Sequence, residues 1–117
     1  MSGRRASGIE VVLDDSRYQS LVDVAFRKVI DLFESVDTDL ADCEAAGDVI
    51  TITFAGKKRC VVNTQRPTCQ IWLAANARAW HFSYDEAVGN WLDDKGQGHE
   101  LFATLTSLAE DWGGVRL

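Results

Sequence analysis

Proline is almost missing from this sequence: Pro67 is the only one in 117 residues, so nearly every backbone amide can enter a helix or a sheet ladder. Cysteine is scarce and odd in number. Cys43, Cys60 and Cys69 stand 17 and 9 positions apart, which matches neither a zinc spacing nor a CxxC pair. They read as reduced thiols in a cytoplasmic protein, with Cys43 and Cys60 as small buried hydrophobes inside strand-like runs and Cys69 open to exposure. No window approaches the roughly 18 apolar residues of a membrane span. MSGRRASG has two arginines with no apolar segment behind them, so no secretory signal is expected there. GxSxG, HExxH, P-loop and glycine-rich dinucleotide patterns are all missing. His81 and His99 stand apart from any serine or cysteine nucleophile, and each reads as a surface or packing residue, so no enzyme is expected.

Basic charge is the other scarcity, and it is local. Residues 10–48 hold eleven acids against Arg17, Arg27 and Lys28, a net −8. The rest of the chain, with seven acids and nine bases, is +2, for a total of −6. An acidic first third repels nucleic acid and anionic lipid, leaving cations or basic protein surfaces as its partners.

The chain has the length of one domain, and its 46% hydrophobic content is enough for one core. Residues 1–12 read as a loose lead-in and 13–117 as the domain. Over residues 16–36, Tyr18, Leu21, Val22, Ala25, Phe26, Val29, Phe33 and Val36 recur by threes and fours, predicting an amphipathic helix capped by Asp14, Asp15 or Ser16. Short β-rich runs then follow at 40–45, 49–54, 58–63, 70–75, 80–84 and 90–92, joined by short links that favour antiparallel neighbours. Helical spacing returns over 99–112 and stops at Gly113 and Gly114. This order predicts an α+β fold, a two-layer α-β sandwich with two helices on one face of a roughly six-stranded antiparallel sheet, the other face meeting solvent.

Two surfaces carry chemistry in this layout. On the first helix, Asp23, Arg27, Asp31 and Glu34 share one edge opposite the apolar stripe, where Asp23–Arg27 and Arg27–Asp31 have the spacing of i,i+4 ion pairs. Glu34, Asp37 and Asp39 then crowd the negative end of the helix dipole, where each acid costs about 0.3–1 kcal/mol. Asp42 and Glu44 extend the ridge onto the next strand. Exposed hard oxygens of this kind suit iron, manganese, calcium or magnesium, held weakly and with much of the water retained. The second surface is in strand 70–75. With Ile71, Leu73 and Ala75 turned to the core, Gln70 and Trp72 face outward beside Asn63 and Gln65, and an indole among amides has the composition of a protein-binding hot spot. Trp80, Phe82 and Trp91 read as core or edge-packing residues.

The run VVNTQRPTCQIWLA has the pattern Asn-x-Gln-x-Pro-x-x-Gln-Ile-Trp-Leu, followed by WHF and by NWLDD…GHELFATL. In these segments, and over about residues 15–112, the sequence resembles the frataxin family and its bacterial CyaY-type members. The resemblance implies a frataxin-like sandwich acting in iron–sulfur cluster assembly. It implies weak binding of ferrous and ferric iron at Asp23, Asp31, Glu34, Asp37, Asp39 and Asp42, and docking on a cysteine desulfurase and its scaffold protein through a surface that includes Asn63, Gln65 and Trp72. It further implies an iron-responsive regulator, monomeric unless iron drives oligomers. An iron store with ferroxidase activity is the alternative within the family, and a sheet that stacks single-stranded RNA on Trp72 is one outside it, disfavoured by the lack of a basic face. The sequence departs from the family pattern at Thr64, where a basic residue is usual, at Arg27 and Lys28, which interrupt the acids, and in a longer DDKGQG link.

Overall fold

The computed structural model describes residues 14–117, and the expected loose segment over 1–12 lies outside them. Helix α1 spans Asp15–Glu34 and α2 spans Leu101–Gly113. Between them run β1 (Ala41–Ala46), β2 (Val49–Phe54), β3 (Arg59–Gln65), β4 (Gln70–Ala75), β5 (Arg78–Asp85) and β6 (Asn90–Asp93), with a single 3-10 turn at Arg66–Thr68. The six strands pair antiparallel in chain order, so β1 and β6 are the edges. The two-layer α+β expectation holds. Its boundaries shift where the periodicity was weakest: β3 and β5 extend to Gln65 and back to Arg78, and the helices end and begin two residues inside the expected limits.

Each end of a helix shows why it falls where it does. The Asp14 carboxylate caps α1 by accepting from the Arg17 amide at 2.7 Å. Glu100 caps α2, its side chain accepting from the Ala103 and Phe102 amides at 3.1 and 3.2 Å. At the far end Gly114 adopts φ +61 and its amide returns to the Ala109 and Glu110 carbonyls, a left-handed terminus suited to glycine.

One core forms between the layers. Tyr18, Val22, Ala25, Val29 and Phe33 of α1 and Leu101, Leu105, Leu108 and Ala109 of α2 pack on the strand residues that point inward, among them Ile50, Ile52, Val62, Ile71, Leu73 and Phe82. Trp80, Phe82 and Trp91 belong to this core, as expected. Cys60 is fully buried, but Cys43 is only half-buried because β1 is an edge strand whose inner face α1 covers incompletely. Among the described residues no helix is long and apolar enough to cross a membrane.

Candidate functional site: an acidic edge and an indole on the open sheet face

Asp23, Asp31, Glu34, Asp37, Asp39, Asp42 and Glu44 are all exposed. The i,i+4 pairing offered by Arg27 does not form: among the described residues the arginine and lysine ion pair is Arg17–Glu86 at 2.9 Å, and His81 Nδ1 lies 3.7 Å from Asp94 Oδ2. Two exposed side chains gain more from hydration and rotamer freedom than from so weak a contact. Lys28 leaves the acidic edge as well, its ammonium lying 4.1 Å from the centre of the Phe102 ring. The carboxylates of Asp31, Glu34, Asp42 and Glu44 therefore have neither a hydrogen bond nor an ion pair among the described residues.

The structure divides these acids into smaller groups. Glu34 and Asp42 line one cleft of about 260 Å³ between the end of α1 and β1, together with Ile30, Val36 and Cys43. Asp37 closes the turn that follows α1, its carboxylate accepting from the Asp39 amide at 2.9 Å and its carbonyl from the amides of Leu40 and Ala41. Asp23 lies more than two turns further up the helix and accepts from the Gln19 amide group at 2.8 Å. Strand alternation turns Asp42 and Glu44 to the outer face of β1 while Ala41 and Cys43 face the helices. Among the described residues no three acidic, histidine or cysteine side chains converge as a metal cage. The arrangement suits cations held by one or two carboxylates with their water retained.

Trp72 stands on the face that the helices leave open, between buried Ile71 and Leu73 that point the other way. Register places Asn63 of β3 opposite it on one side and His81 of β5 on the other. The Trp72 and His81 rings are stacked, with centroids 4.1 Å apart and planes 15° from parallel. The indole Nε1–H donates to Gln70 Oε1 at 2.9 Å.

Gln70 departs from its expected role as an exposed amide. It is only 8% exposed and its side chain is fully engaged: Oε1 accepts from Trp72 and from the Thr68 hydroxyl, while Nε2 donates to Ser83 Oγ and to Asp94 Oδ2, each at 3.1 Å. A partner cannot use a group whose donors and acceptors are spent, so Gln70 supports Trp72 from beneath. Asn63 and Gln65 remain half-buried at the surface, with Asn63 Nδ2 donating to the Thr64 carbonyl at 3.1 Å. Thr64 falls opposite Ile71, in the row of strand residues that faces the helices, so it lies off the Trp72 face.

His81 and Asp94 are the members of this site that the sequence reading passed over. The signal was present: a two-residue link after Ala75 pairs Ala75 with Arg78 and therefore Trp72 with His81. Asn76, at φ +59, supplies the left-handed residue that such a link requires. Starting the strand at Trp80 hid that register.

A family model for the frataxin-like domain matches residues 11–114. The iron–sulfur cluster assembly protein CyaY of Delftia acidovorans is 43% identical over 84 residues, covering 72% of this chain and 73% of that protein. The CyaY protein of Pseudomonas aeruginosa is 37% identical over 102 residues, covering 87% and 93%. Among solved structures, the frataxin of Psychromonas ingrahamii superposes with a TM-score of 0.76 at 27% identity, covering 85% of this chain and 90% of that one. With that sheet, those two helices and a match that runs through both candidate surfaces, the chain belongs to the frataxin-like family, among its CyaY-type members.

Proposed function

We propose that this protein acts in iron–sulfur cluster assembly in the cytoplasm. In this reading it docks on the cysteine desulfurase and its scaffold protein, and adjusts cluster formation according to the iron it carries. The observation that carries the reading is one domain with two unlike exteriors: an edge of unneutralised carboxylates on α1 and β1 and, three strands across the sheet, an open β surface with an indole held among amides. Curated relatives named as iron–sulfur cluster assembly proteins support the process.

The physical route has two parts. Long-range attraction between the acidic edge and a basic partner surface speeds encounter and sets approach, while Trp72, Asn63 and Gln65 supply the short-range contacts that fix orientation. Ferrous or ferric iron, bound weakly at Asp31, Glu34, Asp37, Asp39, Asp42 and Glu44 and separately at Asp23, is cargo or signal. Each bound ion cancels charge that the partner would otherwise meet, so iron level and docking strength are linked through one set of carboxylates.

A desulfurase assay with scaffold protein, run with and without this chain across a ferrous iron titration, tests the proposal. The expected outcome is a change in the rate of cluster formation that depends on both the chain and the iron. A rate indifferent to the chain at every iron level would overturn it.

A further inference from the structure

Trp72 and three side chains around it form a closed ring of contacts. The Trp72 indole donates to Gln70, Gln70 donates to Asp94 Oδ2, the same Oδ2 lies 3.7 Å from His81 Nδ1, and the His81 ring stacks back on Trp72. The backbone completes the arrangement, because the Asp94 amide donates to the His81 carbonyl at 2.8 Å and so holds the carboxylate beside the imidazole. Asp94 comes from the link after β6, Gln70 and Trp72 from β4 and His81 from β5, so three separate segments converge on one indole.

We propose that Asp94 is a positioning residue for Trp72, acting through Gln70 and His81. The proposal rests on the docking role given to Trp72 above. An indole on an open sheet face can rotate about two side-chain bonds, and each rotamer it must give up on docking weakens association. The Gln70 bond fixes the pyrrole edge and the His81 stack fixes one ring face, leaving the other face for a partner.

The Nδ1–Oδ2 separation of 3.7 Å is too long for a hydrogen bond, so Asp94 limits the ring's movement by contact and through its backbone bond to the His81 carbonyl. Asp93, Asp94, Arg78, Lys95 and His99 line a cleft together with His81. Of the charged side chains there, Asp94 is the one in contact with the imidazole.

The test follows the Trp72 indole N–H resonance of the full chain by nitrogen-15 NMR, assigned by its loss in Trp72→Ala, and in parallel measures affinity for a purified bacterial cysteine desulfurase. Asp94→Ala is expected to move the resonance and weaken docking about fivefold, the effect of one net hydrogen bond. Asp94→Asn, which keeps a side-chain oxygen to accept from Gln70 Nε2, is expected to hold the resonance and the affinity near wild type. Thermal melts of each variant separate misfolding from misplacement, since Asp94 and His81 are both more than a third exposed.

An unmoved resonance in folded Asp94→Ala would overturn the proposal, as would an Asp94→Asn variant that docks as weakly as Asp94→Ala. A moved resonance with unchanged affinity would overturn the positioning role while Trp72→Ala still abolished docking. If Trp72→Ala docked as tightly as wild type, the docking reading itself would be the one to fall.

Discussion

Single atoms decide several outcomes at the residue scale. A methyl group built on Gly113 would meet Phe54 Cδ1 at 2.8 Å and Val115 Cγ2 at 3.2 Å, and the Leu40 carbonyl is 3.4 Å away. Phe54 cannot swing aside, because Phe33 and Trp112 pack edge-on against its ring. Alanine is worth about 1 kcal/mol over glycine inside a helix, whereas overpacking a filled core costs about 1–3 kcal/mol, so the clash should win. Gly113→Ala is expected to lower stability by about 1 kcal/mol, read as a lower urea midpoint at unchanged slope. A higher midpoint would show that α2 can shift away from β2. The same scale explains what sequence could not say of Gln70. Its outward direction followed from alternation along the strand, but its burial came from Thr68, Ser83, Trp72 and Asp94, four groups from separate positions in the chain.

At the scale of the element, α1 combines a well-formed apolar stripe with a poorly chosen end. Its last turn contains no basic residue, and Glu34 sits where the dipole is negative. The unpaired state of Asp31 and Glu34 makes these charges a cost to the fold without an offset. Asp31→Asn and Glu34→Gln should therefore each raise the melting temperature by about 2–4 °C at low salt, the equivalent of roughly half a kcal/mol in a domain of this size. They should weaken iron binding at the same time, as measured by calorimetric titration. A lower melting temperature in both would mean that the carboxylates support the fold. The helix stripe, the strand alternation and the short links made the elements legible from sequence, because burial on one face leaves a period that any reader can count. Ion pairing was not legible, since spacing permits Arg27 to meet Asp23 or Asp31 but does not make hydration yield.

For the whole molecule, the sealed core has a consequence in alkali. Burial pushes the Cys60 thiol from an ordinary 9.0 up to about 12, and burial raises Cys43 and the Tyr18 hydroxyl in the same direction. A folded-state value above the unfolded one means that the folded protein holds its proton while the unfolded chain has already released it. The associated stability is intact below pH 9 and is lost as pH rises toward 12. The urea midpoint should accordingly fall across that interval, and Cys60→Ala should flatten the decline even as it lowers the starting stability through the cavity it leaves. An equally steep decline in Cys60→Ala would assign the effect to other groups. Under native conditions near neutral pH, Cys60 should resist alkylation until the chain unfolds.

Taken by itself, the order of residues determined the element sequence, the two-layer architecture, the side of β4 that carries Trp72 and the acidic character of α1 and β1. All of these follow from local periodicity and from charge, which need no knowledge of distant contacts. Tertiary structure alone decided that Gln70 is spent on its neighbours, that His81 covers one face of the indole, that Asp94 ties the two together and that the acids split into separate groups. Such facts depend on side chains brought side by side from positions far apart in the chain, and on the balance between hydration and contact at each meeting point, which the pattern of residues along a strand or helix does not encode.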